Sequence, residues 1–262
     1  VQTCALPISF LLNIVFLASV QVWLHGISSL SYKERVEGVV MGAALGDALG
    51  RVTEFIDTTA EIKTKYSAGI KDFSSFSKED YITVNGKKIA LYTDDTVMAK
   101  IILEEALKGK KGGLTIDQIT RNIAYRFTDL FGPNKYQIDP FYYHRAHGFM
   151  NMNMGGELSD FIDSGADISE WFYLYRPGIE REGGCGSVMR AWPVGLVYSN
   201  DEAKLIELAD KQSQLSHRHP MARAASVAIA VGIAEVIQGK SPRDVVNAMV
   251  KVAERYDMQE LA

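Results

Sequence analysis

From Tyr32 to the end of a 262-residue chain, apolar residues recur at the three- and four-residue spacing of an α-helix. Only one short stretch departs from that spacing. Val36, Val40, Ala43 and Asp47 form a first stripe at i, i+4, i+7 and i+11, with a carboxylate at its end. Gly38, Gly42, Gly46 and Gly50 recur every four residues on the same segment. That row predicts a small-residue ridge for close helix packing. Met98, Ile101, Ile102, Glu105 and Ala106 define another helical face. Thr115 with Gln118 reads as a capping box before Ile119, Ile123 and Phe127. Ser199 with Glu202 reads as a second box before Leu205, Ile206, Leu208 and Ala209. An alanine-rich helix is expected over Met221–Gln238, and another from Ser241–Pro242, with serine as N-cap and proline in the first turn. The departure is Tyr81–Tyr92. There Asn85–Gly86 sits between alternating apolar residues, a hairpin signature because both turn residues tolerate positive φ. No repeat or linker interrupts the pattern. It predicts a single all-α multi-helix domain over residues 32–262 with a small β-hairpin excursion.

Composition limits the function classes. The chain is 47% hydrophobic and 23% charged, too apolar for disorder. Its net charge of −4 supplies no basic surplus for a phosphate backbone, so nucleic acid is not an expected partner. Two cysteines, Cys4 and Cys185, make neither a disulfide framework nor a thiolate zinc site.

The ends need separate treatment. Val1–Ile8 reads VQTCALPI and resembles the translation of a sequencing-library adapter fused in frame; a natural N-terminus is the alternative. Phe10–Leu24 is apolar but interrupted by Asn13 and Gln21, and is shorter than the roughly 20 residues of a spanning helix. No stable membrane span is expected from it. Its length suits the apolar region of a signal peptide, although no basic stretch precedes it. An untranslated leader and an extra helix are the other readings. Residues 1–31 are therefore set apart, and the compartment stays open: cytoplasmic by default, exported if the leader acts as a signal. At the other end the chain stops at Ala262 with no cap or polar tail, as a C-terminally truncated gene fragment would.

Four constellations can carry chemistry. Thr93–Asp94–Asp95–Thr96 falls where the hairpin ends and a helix begins. Acids there gain from the helix dipole, and threonine or aspartate can cap, which accounts for the string without any ligand. The same oxygens are also hard ligands for Mg²⁺ or Mn²⁺. Glu54, in GDALGRVTEF, is by itself a solvated carboxylate; beside a metal-bound water it can act as a base. Gly183–Gly184–Cys185–Gly186–Ser187 reads as a turn opening a helix at Val188, where backbone N–H groups can meet a phosphate. It matches neither the P-loop nor the dinucleotide spacing. His217 and His219, in SQLSHRHP, point to different faces of any helix and so do not form an i, i+4 metal pair.

Taken in order, GAALGDALGRVTEF, YTDDT, GGCGSVMRAWPVG and SQLSHRHP resemble the ADP-ribosylglycohydrolase family, the group that includes dinitrogenase reductase-activating glycohydrolase. The resemblance implies an all-α domain with a binuclear Mg²⁺ or Mn²⁺ site. It implies hydrolysis of the glycosidic bond between ADP-ribose and an acceptor, on a protein side chain or a small molecule. By motif, Thr93, Asp94 and Asp95 are the implied metal ligands, and Glu54 and Asp94 the implied catalytic residues. Gly184, Cys185 and Gly186 are implied to lie along the ADP-ribose, with His217 near its diphosphate and ribose. Gly148, in RAHGFMNMN, corresponds to a glycine loop at the phosphates. Asp47 is expected to brace the site.

One family feature is missing. No G-G-D-T-D-T-type acidic motif is found, so the chain is expected to supply only about half of the metal ligands and to be inactive or weakly metal-binding by itself. The competing readings are a non-catalytic ADP-ribose or nucleotide binder and a structural protein on the same fold. A metal-dependent phosphohydrolase is disfavoured because no His-Asp pair occurs. The acceptor and the preferred cation are not encoded in any legible motif.

Overall fold

Ser31 opens the first helix of the computed structural model, which describes residues 30–54, 56–128, 130, 152–171 and 183–256. Its hydroxyl accepts from the Glu34 N–H, and the Glu34 carboxylate accepts from the Ser31 N–H, a reciprocal capping box for α1 (Tyr32–Gly50). A 3₁₀ turn, Arg51–Thr53, and α2 (Thr59–Lys65) follow. The hairpin is β1 (Tyr81–Val84) against β2 (Lys87–Ala90), antiparallel, with Tyr81 opposite Ala90 and Val84 opposite Lys87. Asn85 and Gly86 take φ of 50° and 75°, as the sequence predicts. Then come α3 (Asp94–Gly112), α4 (Ile116–Thr128), α5 (Met152–Asp163), α6 (Ile168–Trp171), α7 (Trp192–Val197), α8 (Glu202–Gln214), α9 (Pro220–Ile237) and α10 (Pro242–Arg255). Among the described residues the two-stranded hairpin is the only sheet, so the class is all-α.

The main core is built by the stripes read from the sequence. Met98, Ile102 and Ala106 of α3 are fully buried against Ile119, Ile123 and Phe127 of α4, and Leu208 and Ala209 of α8 join them. Glu105 also falls on the buried face of α3, held by Arg126 at 3.0 Å and Lys108 at 2.8 Å. Helix α9 packs against α7, α8 and α10. It is the one described helix long and apolar enough to cross a membrane, and half of its span is buried within the fold.

A smaller cluster supports the hairpin. Val52, Tyr66 and Phe76 are buried together, and the rings of Phe73 and Phe76 meet edge-on at 5.3 Å. Arg51 is buried beside it. Its Nη2 donates to the Asp80 carbonyl at 2.8 Å and its Nε to the Leu91 carbonyl at 3.2 Å. The end of α1 is thereby tied to both sides of the hairpin, which fixes Glu54 relative to the start of α3.

Three local expectations are corrected. A Cβ built on Gly38, Gly42, Gly46 or Gly50 meets nothing within 4 Å, so among the described residues the glycine row is an open ridge and not a packing face. The close approaches lie elsewhere: at Gly195 a Cβ would come 2.1 Å from the Ala230 carbonyl oxygen, and at Gly109 2.3 Å from Ile119. The N-cap of α8 is Asp201, whose carboxylate accepts from the Lys204 N–H, and not Ser199. The reason is the turn after α7, in which the Asp201 N–H donates to the Tyr198 carbonyl and delays the helix by two residues. The glycine-rich turn does not open a helix at Val188. It forms a short 3₁₀ turn at Cys185–Ser187, and α7 begins only at Trp192.

Candidate active site

Thr93 stands at the N-cap position of α3, yet its side chain makes no capping bond to that helix. Asp47, from α1, takes the role. Its carboxylate accepts from the Thr93 N–H at 2.9 and 3.1 Å and from the Thr96 N–H at 3.1 Å. It also accepts from the two hydroxyls, Thr93 Oγ1 at 2.7 Å and Thr96 Oγ1 at 2.5 Å. A carboxylate at a helix N-terminus satisfies otherwise unpaired N–H groups and meets the positive end of the dipole. Asp47 thus braces the site, as expected. Thr93 Oγ1 also lies 3.0 Å from Asp95 Oδ2.

Beyond that brace four acids share one neighbourhood. Asp94 is 4% exposed, and its carboxyl is pushed well above the usual range, first by burial and then by the charges of Asp95, Glu54 and Asp47. Asp95 is pushed up to about 7 by burial, Asp47 and Glu54, against the Thr93 hydrogen bond. Glu54 follows the Arg51–Thr53 turn and stays exposed. Desolvation and Asp47 raise its carboxyl, and Arg51 opposes them. Asp94 and Asp95 each feel the charge of Glu54, so the three acids lie within electrostatic reach of one another.

This donor set suits a hard cation. Carboxylates that raise one another's pKa are stabilised when a divalent ion replaces their protons. Among the described residues no three acidic, histidine or cysteine side chains stand close enough to form a ready ligand group. The chemistry of the oxygens fits; a complete cage is not assembled by these residues.

The second half of the site is the turn at Gly184–Gly186 and the histidine facing it. A Cβ on Gly186 would lie 2.7 Å from His217 Cε1, and one on Gly184 3.4 Å from His217 Nε2. At 186 a side chain would displace the ring, whereas at 184 it would only touch it. His217 is 7% exposed and its pKa falls to about 3, through burial and the nearby Arg190 charge. His219 borders the same turn at Gly183, where a Cβ would lie 3.4 Å from its Cγ, while its Nδ1 accepts from the Met221 N–H and caps α9.

Between the halves lies Arg190, fully buried, which the sequence reading passed over. Its Nε donates to Gln212 Oε1 at 2.9 Å, and its Nη2 to the Gln212 carbonyl at 3.0 Å and to Ser216 Oγ at 2.7 Å. Its guanidinium lies 4.7 Å from the Phe127 ring centre. Burial lowers its pKa to about 9, and the Asp94 charge acts against that shift. The signal for it was present in the SVMRAWPVG string but carried no spacing that marks a buried cation.

Thr93, Asp94 and Asp95 thus stand at the start of α3 within electrostatic reach of Glu54, Gly184 and Gly186 face His217, and Arg190 reaches Met98 on α3 and Ser216 beside His217. Cys185 is half-buried and forms no disulfide. Gly148 lies outside the described residues.

Comparison with known proteins adds the following. The family model described as ADP-ribosylglycohydrolase matches residues 28–262. An uncharacterized protein of Escherichia coli, YegU, is 28% identical over 236 residues, covering 87% of this chain and 61% of its own length. ADP-ribosylhydrolase ARH3 of Xenopus tropicalis is 25% identical over 212 residues, 79% of this chain and 51% of its own. An uncharacterized protein of Archaeoglobus fulgidus is 24% identical over 226 residues, 86% of this chain and 63% of its own. The chain therefore spans between about half and two thirds of the length of these relatives.

Proposed function

The chain belongs to the ADP-ribosylglycohydrolase family, and on that premise we propose that its site serves metal-dependent hydrolysis of the bond between the anomeric carbon of ADP-ribose and an acceptor. The observation that carries the proposal is the Asp47-braced start of α3, which sets Thr93, Asp94 and Asp95 side by side with Glu54 in electrostatic reach. The printed name of the Xenopus tropicalis relative, an ADP-ribosylhydrolase, points the same way.

Thr93, Asp94 and Asp95 would hold Mg²⁺ or Mn²⁺, two ions when the ligand set is complete. A bound divalent ion polarises water and neutralises developing negative charge. The chain's own residues do the rest. Glu54 orients the attacking water and takes its proton, a role suited to a carboxyl with a raised pKa. Water oxygen bonds to the anomeric carbon as the bond to the acceptor breaks, and the acceptor leaves with a proton. The glycines at 184 and 186 let the backbone approach the ADP-ribose, and His217 borders it. The substrate is an ADP-ribosylated protein or an ADP-ribose-containing small molecule.

A non-catalytic ADP-ribose binder is the second reading, and the absence of a ready three-ligand group among the described residues favours it. Two measurements on one preparation separate the readings. One is ADP-ribose binding by calorimetry with and without Mg²⁺; the other is release of ADP-ribose from an ADP-ribosylated protein. The hydrolase reading expects wild-type binding that is strengthened by Mg²⁺, with that strengthening and any release lost in Asp94→Ala. Release that survives in Asp94→Ala contradicts it. Binding that needs no divalent cation and is unchanged in Asp94→Ala supports the binder.

A further inference from the structure

Arg190 has no acid in ion-pair contact among the described residues; it spends its donors on Gln212, Ser216 and the Met98 sulfur. That is an unusual use of a fully buried cation, because burial penalises its charge. The next link explains it. Ser216 Oγ is 2.8 Å from His217 Nδ1 and 2.7 Å from Arg190 Nη2, and Ser216 is 1% exposed.

A guanidinium can only donate. The Arg190 N–H therefore occupies a lone pair of Ser216 Oγ and leaves the hydroxyl proton to be placed. His217 Nδ1 is the one acceptor within reach of that proton among the described residues. A buried hydroxyl that keeps its proton unbonded carries the desolvation cost of that group with nothing in return. Nδ1 is thus the acceptor, and the imidazole proton sits on Nε2. A ring flip would turn Cδ2 toward Ser216 and lose the bond.

The other end of the ring completes the picture. Nε2 faces the Gly184–Gly186 turn, where a Cβ on Gly186 would stand 3.0 Å from it. No protein group among the described residues bonds to Nε2. A nine-tenths-buried ring offers an unshared N–H at the mouth of a glycine turn.

We propose that Arg190, acting through Ser216, fixes His217 as a neutral imidazole protonated on Nε2, a donor aimed at an acceptor oxygen of the ligand along the Gly184–Gly186 turn. Arg190 and Ser216 are positioning residues in this scheme. His217 holds its proton and does not transfer it. The choice of ADP-ribose as ligand rests on the proposed function; the tautomer does not.

The test is a long-range ¹H–¹⁵N correlation spectrum of the full chain labelled with ¹⁵N-histidine, at pH 7, without ligand. The expected result is one His217 tautomer, with Nδ1 bare and Nε2 protonated. In Ser216→Ala the expected result is loss of that single tautomer, with the unfolding midpoint showing that the fold is kept; Ser216→Thr, which keeps the hydroxyl, restores it. Nδ1 protonation in the wild type, or an unchanged spectrum in Ser216→Ala, overturns the inference. Ligand arms follow with ADP-ribose and ADP. Ser216→Ala is expected to weaken ADP-ribose binding by about tenfold, the value of one hydrogen bond near 1.4 kcal/mol. Equal weakening for ADP puts the acceptor oxygen on the diphosphate; weakening for ADP-ribose alone puts it on the distal ribose. No weakening for either overturns the donor role. A wild type that shows the expected tautomer but binds neither probe contradicts the ADP-ribose reading and leaves the Arg190–Ser216–His217 chain standing.

Discussion

The Asp47 carboxylate accepts from both the backbone N–H and the hydroxyl of Thr93, a residue 46 positions later on another helix. One side chain thereby fixes where α3 begins and how its two acids are presented. The glycine-rich α1 and the TDDT string are parts of one device.

Asp47→Ala removes the acceptor for two first-turn N–H groups and two hydroxyls, and should destabilise the chain by about 2 kcal/mol or more. Relief of repulsion with Asp94, Asp95 and Glu54 offsets part of this once those acids ionise. At pH 5, where Asp95 keeps its proton, the loss should be larger than at pH 8. Asp47→Asn keeps acceptor oxygen and should cost less at both. Urea unfolding of the three proteins at the two pH values checks this, and a cost that grows toward pH 8 would count against it.

Gly195→Ala and Gly42→Ala should move stability in opposite directions. At Gly195 the new Cβ would lie 2.1 Å from a backbone carbonyl oxygen that cannot rotate away, and overpacking of that kind costs about 1–3 kcal/mol. At Gly42 the Cβ meets no atom of the described residues within 4 Å, in a helix where alanine is worth about 1 kcal/mol over glycine. Thermal midpoints of the two variants are the readout.

That contrast also marks what the sequence could and could not say. Local signals were sufficient for the helices: the stripes at Met98–Ala106 and Ile119–Phe127 are fully buried, the Asn85–Gly86 turn has its positive φ angles, and Ser241 caps α10. The acids of the site were legible because all four sit in two short strings, TDDT and GDALGRVTEF. What failed depends on distant partners. Spacing alone cannot tell an open glycine ridge from a packed one, and the packing glycines at 109 and 195 belong to no repeat. Ser199 lost its capping role to a turn set by α7. Arg190 meets Gln212 and Ser216 only after α7 and α8 have folded back on each other, so nothing in its own neighbourhood announced it.

His217 should make the chain lose stability in acid. Its folded pKa is about 3 and its reference value 6.5, so between those values the unfolded chain holds a proton that the folded chain does not. Its contribution is present above pH 6.5 and is lost as pH falls toward 3, with a slope of up to about 1.4 kcal/mol per pH unit. Asp94 and Asp95, raised in the folded state, act in the opposite direction, so the wild-type profile alone does not isolate it. The difference between wild type and His217→Asn does. That difference should shrink steadily from pH 6.5 to pH 4; a constant difference would mean that the ring is not held neutral.

The most direct measurement is a calorimetric titration of Mn²⁺ into the wild type, Asp94→Asn and Asp95→Asn at pH 7, in two buffers of different ionisation enthalpy. Asp94 and Asp95 are both raised, Asp95 to about 7, so wild-type binding should release protons to the buffer. Both variants should bind more weakly and release fewer protons than the wild type. Binding of equal strength in all three proteins, with the same heat in both buffers, would place the cation elsewhere and contradict the assignment of these acids.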